Sequence, residues 1–215
     1  MKKAKAIYNV ISSIFFIVFM LFLVCALWFL SHYQRLWVSG SSMYPTFEGN
    51  GTEIVYGRFC FSKLDRGDII VVAHPMQTEK VLKRLVAFGG EKICVIQNLD
   101  LTYSLVVITC DGTTIIERTL NVGAGQDLKI SIESTSNQTF LKEGKKFVEI
   151  NGNKYLKIPE NCVFYLGDNV TSSWDCSEYG AVPQMFVLSK IEFITTKNGS
   201  AFIQIITQIF DKIFK

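Results

Sequence analysis

The stretch VSGSSMYPTFEGNG, Val38 to Gly51, sets Ser39, Ser41 and Ser42 close together just beyond a long apolar segment. A serine hydroxyl is a weak nucleophile until a neighbouring group removes its proton. The imidazole bases available are His32 and His74, and no G-x-S-x-G turn is present, so a Ser-His-Asp triad finds little support. A lysine can replace histidine if its amine is neutral. In water its pKa is about 10.4, but an apolar site lowers it by several units because the charged form loses solvation. Lys83 has such surroundings in KVLKRLVAFGGEKI, among Val81, Leu82, Leu85, Val86 and Phe88. On an alternating strand Lys83 shares a face with Val81 and Leu85, while Arg84 points the other way. The third polar stretch that stands out is GDNVTSSWDCSEYGAV, Gly167 to Val182.

These three segments need a scaffold, and the sequence supplies β-strand signals for one. TEIVYGRF, DIIVVAHP, KICVIQ, YSLVVIT, TTIIERTL, LKISIES, KFVEI, KYLKI and CVFYLGD are short runs dense in Val, Ile, Tyr and Phe. Asp111-Gly112 and Asn151-Gly152 lie between such runs, as tight hairpins require. The pattern predicts a mostly β fold of coiled antiparallel sheets, barrel-like, without the alternating helices of a nucleotide-binding α/β fold. No G-x-G-x-x-G, P-loop, repeat or low-complexity tract occurs.

Two segments depart from this pattern. Ile7 to Leu30 carries no charge and is 24 residues long. As a helix it would reach roughly 36 Å, enough to cross a hydrocarbon core of about 30 Å. Its length favours an anchor over a cleaved signal, whose apolar region is shorter. Lys2, Lys3 and Lys5 precede it and only Arg35 follows closely, which places the N-terminus in the cytoplasm and the rest outside the cell membrane. At the other end, AFIQIITQIFDKIFK sets Phe202, Ile205, Ile206, Ile209, Phe210, Ile213 and Phe214 opposite Gln204, Gln208, Asp211, Lys212 and Lys215. This predicts an amphipathic helix, either capping the β core or lying on a membrane surface. The expected organisation is therefore a cytoplasmic tail over 1–6, an anchor over 7–30, an extracytoplasmic β domain over 31–200 and a helix over 201–215.

The mean hydropathy of +0.27 agrees with a membrane protein. The net charge of +3 is spread along the chain, so nucleic acid is not expected as a partner. Cys60, Cys94, Cys110, Cys162 and Cys176 form no C-x-x-C pair, so neither a metal nor another cofactor is expected. A Cys94–Cys110 disulfide and unpaired buried thiols both fit the spacing.

Taken together, the polar segments resemble the boxes of type I signal peptidases, the membrane-bound Ser/Lys endopeptidases, in a Gram-positive-like form. Ser39-Gly40-Ser41-Ser42-Met43-Tyr44-Pro45-Thr46 resembles S-G-x-S-M-x-P-T, and RGDII, Arg66 to Ile70, resembles the strand box before the lysine. KRLVAFGGEKI resembles K-R-x-x-G-x-P-G-D-x-I, with Ala87, Gly89 and Glu91 as departures. GDN followed by S-x-D and G-x-V resembles the last box. The boxes occur in the family's order and cover most of Val38 to Val182, apart from a variable stretch over 94–149.

The resemblance implies that Ser42 is the nucleophile and Lys83 the general base. Ser173 would orient the lysine amine, with Asp168, Asn169 and Asp175 shaping the loop around it. The Ser42 backbone N–H would serve the oxyanion, and Gly40 occupies the position where some relatives supply a second donor. Signal peptides of exported preproteins would bind in shallow apolar subsites near Val38, Met43, Phe47, Val81 and Leu82, beside a phospholipid membrane. The arginines that often follow GDN and end D-S-R are replaced by Val170 and Ser177, leaving Asp175 without its expected partner.

Overall fold

A computed structural model describes residues 2–49, 52–57, 63–134, 145–196 and 200–214. The chain opens with helix α1, Lys2–His32, and passes directly into strand β1, Tyr33–Trp37. Most of its apolar side chains lie exposed along the helix, which is long and apolar enough to cross a membrane.

Among the described residues, seven strands form one sheet and five a second. The first contains β1, β2 (Thr52–Gly57), β3 (Ile69–Ala73), β4 (Lys80–Phe88), β10 (Cys162–Leu166), β11 (Val182–Pro183) and β12 (Val187–Thr196). Their spatial order is β1-β2-β12-β3-β4-β10-β11. The second contains β5 (Lys92–Gln97), β6 (Tyr103–Ile108), β7 (Thr114–Leu120), β8 (Lys146–Ile150) and β9 (Asn153–Lys157), ordered β7-β6-β5-β9-β8. All of these pairings are antiparallel. The expected mostly β architecture is therefore present, and the stretch over 94–149 supplies much of the second sheet. Both predicted glycine turns join strands, β6 to β7 and β8 to β9. Asn151 and Gly152 have φ of 50° and 75°, the left-handed pair that a two-residue hairpin needs.

One expected strand is a helix instead. LKISIES forms the end of α2, Val122–Glu133, with Ser134 as its C-cap, and the start of the helix is capped by Asn121 Oδ1 accepting from Ala124 N at 3.0 Å. A strand would bury Leu128, Ile130 and Ile132 together. Leu128 and Ile132 are each 1% exposed, whereas Ile130 is 61% exposed, so the four-residue spacing won over the two-residue one. Burying that stripe on β5 and β6, rather than strand propensity, decides the local structure.

The main core draws on both sheets and α2, including Leu85, Val86, Ile93, Leu105, Leu128, Phe164 and Tyr165. A smaller cluster joins Val38, Met43, Phe47, Val71 and Leu82 on the other side of the first sheet. Cys94, Cys162 and Cys176 are buried free thiols, and Cys110 is exposed and free, so the Cys94–Cys110 disulfide is not formed. Cys60 lies outside the described residues. The chain ends in helix α4, Ala201–Ile213, which lies along β12.

Candidate active site

Ser42 lies in a tight turn between β1 and β2. Tyr44 N donates to Ser41 O and Phe47 N to Met43 O, each at 3.0 Å. Met43 and Phe47 plug this turn into the smaller core, which keeps its polar side accessible. A second loop grips it from the other side. Asn169 N donates to Ser42 O at 3.0 Å, and Asn169 Nδ2 to Ser41 O at 3.1 Å. Ser41 and Ser172 hydroxyls meet at 3.0 Å, and Thr46 Oγ1 donates to Asp168 Oδ2 at 2.5 Å.

Lys83 belongs to β4, which is paired with β3 and β10 on its two sides. Its position in the middle of a sheet leaves it 2% exposed. Burial pulls the amine's pKa below its usual value, against a smaller opposing pull from the Asp175 charge. Lys83 Nζ donates to Ser173 Oγ at 2.7 Å, and Ser173 Oγ donates to Asp175 Oδ2 at 2.5 Å. A hydroxyl has one proton to donate, so a Ser173 committed to Asp175 can only accept from the lysine. A neutral amine held in this way keeps its lone pair free for another partner. Asp175 is fully engaged, accepting also from Gly167 N at 2.8 Å, Ser177 N at 3.0 Å and Ser177 Oγ at 2.9 Å.

Gly167 brings the two halves together. A Cβ built there would overlap both Ser173 Oγ and Ser42 O, so the serine turn and the lysine's partner meet across a glycine without a side chain. Ser42 Oγ itself makes no hydrogen bond to Lys83 in this arrangement. Buried amine, ordered hydroxyl relay and adjacent serine turn together fit acyl transfer by a serine with a lysine base.

The family model described as "Signal peptidase, peptidase S26" matches residues 7–196. The chain belongs to the S26 signal peptidase family. A Signal peptidase I of Bacillus caldolyticus is 27% identical over 158 residues, covering 73% of this chain and 75% of that protein. The crystal structure of a signal peptidase I from Enterococcus faecalis V583 is similar with a TM-score of 0.37 and 24% identity, covering 61% of this chain and 98% of the other.

Against the S26 pattern, the structure shows what replaces the missing arginines. Ser177 stands where D-S-R carries arginine, and its backbone and hydroxyl both donate to Asp175. Asp175 thereby caps the short helix α3, Cys176–Tyr179, in place of forming an ion pair. The ion pairs sit at Asp168. Arg84 holds both of its oxygens, Nε to Oδ1 at 2.8 Å and Nη2 to Oδ2 at 2.7 Å. Burial pushes the Asp168 carboxyl up, but hydrogen bonds from Arg84 and Thr46 and the charges of Arg84 and Arg118 together hold it below its usual value.

Sequence reasoning missed Arg118. It comes from β7 in the second sheet, donates to Gly167 O at 3.2 Å and lies 3.7 Å from Asp168 Oδ1. Its signal was weak, a lone arginine in a strand far along the chain from the boxes. Glu117 beside it fixes the guanidinium through Nε at 2.6 Å.

A cleft of about 130 Å³ opens beside Ser42, lined among others by Val38, Gly40, Met43, Val81 and Leu82. Four of the expected apolar subsite residues thus meet there, while Phe47, 1% exposed, lies beneath them in the smaller core. Gly40 has φ of 89°, a backbone conformation that favours glycine and disfavours the serine some relatives carry there. Of the two histidines, His32 is exposed at the end of α1, and His74 is buried against Trp174 and Tyr179.

Proposed function

We propose that this chain is a membrane-bound serine endopeptidase that removes signal peptides from exported preproteins, with Ser42 as nucleophile and Lys83 as general base. The observation that carries the reading is the buried Lys83 amine, held by a Ser173 hydroxyl that donates to Asp175 and so leaves the lone pair of a neutral amine unused. Its lowered pKa suits a general base, since the neutral form is the one that accepts a proton.

Ser42 Oγ attacks the carbonyl carbon that ends the signal peptide, and its proton passes to Lys83. A C–O bond forms while the carbonyl electron pair moves onto oxygen, which the Ser42 backbone N–H receives beside Gly40. As the electron pair returns, the C–N bond breaks and Lys83 gives its proton to the leaving amine, the new N-terminus of the exported protein. Water then attacks the ester and yields a proton to Lys83; the C–O bond to Ser42 breaks, and Ser42 regains its proton. The signal peptide leaves with a new carboxylate. The small cleft, where Val38, Met43, Val81 and Leu82 meet the polar Ser39, Glu79 and Lys80, suits the small residues of an Ala-x-Ala-like ending.

In this reading residues 7–30 cross the cell membrane, residues 1–6 stay in the cytoplasm and the β domain over 31–200 works outside. The support is a helix with a mean hydropathy of 3.0 over its most apolar window, none of that window buried, preceded by lysines. The anchor holds the cleft at the face where a tethered substrate emerges and raises its effective concentration.

The test is cleavage of several preproteins, with phospholipid, by detergent-solubilised full chain, Ser42→Ala and Lys83→Ala. Processing by the parent chain alone supports the proposal. A parent chain as inert as both variants would favour the second reading, an inactive anchored relative that binds signal peptides or an export partner, for which the arginines replaced by Val170 and Ser177 speak.

A further inference from the structure

The C-terminal helix is docked the opposite way round from an ordinary surface helix. Its hydrogen-bonded contact with the protein is polar, with Ala201 and Ile205 half-buried beside it. Gln204 Oε1 accepts from Thr196 N at 2.8 Å, Gln208 Oε1 accepts from Ile194 N at 3.1 Å, and Lys212 Nζ donates to Glu192 O at 3.0 Å. The spacing is a matter of pitch. Four helical residues advance about 6 Å and two strand residues about 6.6 Å, so every fourth residue of α4 meets every second residue of β12. The edge of β12 that faces β3 has its last pair at Lys190–Ile70, while its other edge continues along β2 to Thr196. The α4 side chains satisfy backbone groups on the edge left over, where a bare strand would invite pairing.

Covering that edge with glutamines turns the apolar face of α4 outward. Ile203, Phe210, Ile213 and Phe214 are 64%, 57%, 68% and 78% exposed. Such a contiguous face needs a partner. Its position names one. Tyr33, the first residue after α1, donates to Glu192 Oε2 at 2.6 Å, and its ring lies 5.5 Å from that of Phe193. Glu192 and Phe193 are also where α4 ends, with Lys212 Nζ over the Phe193 ring at 4.9 Å. The exit of α1 and the end of α4 thus share one platform on β12. Trp28, 55% exposed and 6.3 Å from the Tyr33 ring, borders the same junction, as aromatic residues do at a headgroup layer.

We propose that α4 is an interfacial helix, held to β12 by Gln204, Gln208 and Lys212 and seated by its Ile and Phe face on the phospholipid surface from which α1 emerges. This rests on the reading of α1 as the anchor. The seat gives the β domain a second attachment besides the β1 tether and limits its rotation above the bilayer.

The experiment uses the full chain in vesicles of phosphatidylcholine and phosphatidylglycerol, with photoreactive benzoylphenylalanine placed singly at Phe210, Ile213, Val18 or Thr114. Mass spectrometry after illumination reads lipid adducts. Adducts are expected from Phe210 and Ile213, from Val18 in α1, and not from the exposed Thr114 on β7. Adducts from Val18 with none from Phe210 and Ile213 would overturn the seat and leave the anchor standing. Crosslinked dimers from Phe210 in place of lipid adducts would overturn it in favour of a second copy. Adducts from α4 but not from Val18 would remove the anchor and with it the seat beside α1, and adducts from neither would overturn both. The cleavage test of Ser42 and Lys83 stands apart from all of these outcomes.

Discussion

Lys83 Nζ donates to Ser173 Oγ at 2.7 Å, and Ser173 has committed its own proton to Asp175. The serine therefore orients the amine without competing for its lone pair. Ser173→Ala should lower kcat by about 10²-fold through lost orientation, with KM little changed. Steady-state kinetics on a short signal-peptide substrate check this, and an unchanged kcat would remove Ser173 from the site.

Activity should rise with pH, because the working form of Lys83 is the neutral one and burial has lowered its pKa from 10.5. The acid limb of kcat/KM then lies below that ordinary value. The Asp175 charge pulls the other way by favouring the protonated amine, so Asp175→Asn should shift the limb to lower pH. A pH profile of both proteins decides, and a shift to higher pH would contradict this assignment of charges.

Gly167→Ala should impair folding and catalysis together. The added methyl would overlap Ser173 Oγ and Ser42 O, and one of the two halves of the site must move. Overpacking of this kind costs about 1–3 kcal/mol. Thermal unfolding and kcat should both fall, and a stable, fully active variant would show that the two halves are not in contact here.

Gly40→Ser restores the hydroxyl that some relatives place near the oxyanion, yet it should not raise activity. At φ of 89° a side chain is strained, at a cost of about 1–2 kcal/mol. Gly40→Ala should show the same stability loss, and calorimetry with kinetics on the pair separates backbone strain from any gain by the hydroxyl.

Arg118→Ala should weaken catalysis less than Arg84→Ala. Arg84 grips both oxygens of Asp168, whereas Arg118 adds a bond to Gly167 O and a longer approach to Asp168. Arg118→Lys should fail to restore the parent rate, since a single ammonium cannot reproduce the fork. Comparing kcat of the three variants orders them.

The boxes and the apolar helix were legible because they are local. Charge-free length identifies a helix long enough to span a membrane, and serine, lysine and GDN segments carry their residue types at fixed spacing, whatever surrounds them. Alternation marked most strands for the same reason. It failed at LKISIES, where alternation is compatible with a strand and only the packing of Leu128 and Ile132 on the second sheet selects a helix.

What the sequence by itself determined is therefore the inventory: an apolar span, a β-rich chain, one serine turn and a lysine in apolar company. Tertiary structure decided how the inventory meets. Burying Lys83 inside a sheet lowers its pKa, the glycine at 167 lets serine turn and relay touch, and Arg118 arrives from a different sheet to brace the loop. The outward apolar face of α4 belongs to the same class. Its periodicity is visible in the sequence, but which face meets the protein depends on the backbone groups of β12 that β3 leaves over, which Gln204, Gln208 and Lys212 satisfy.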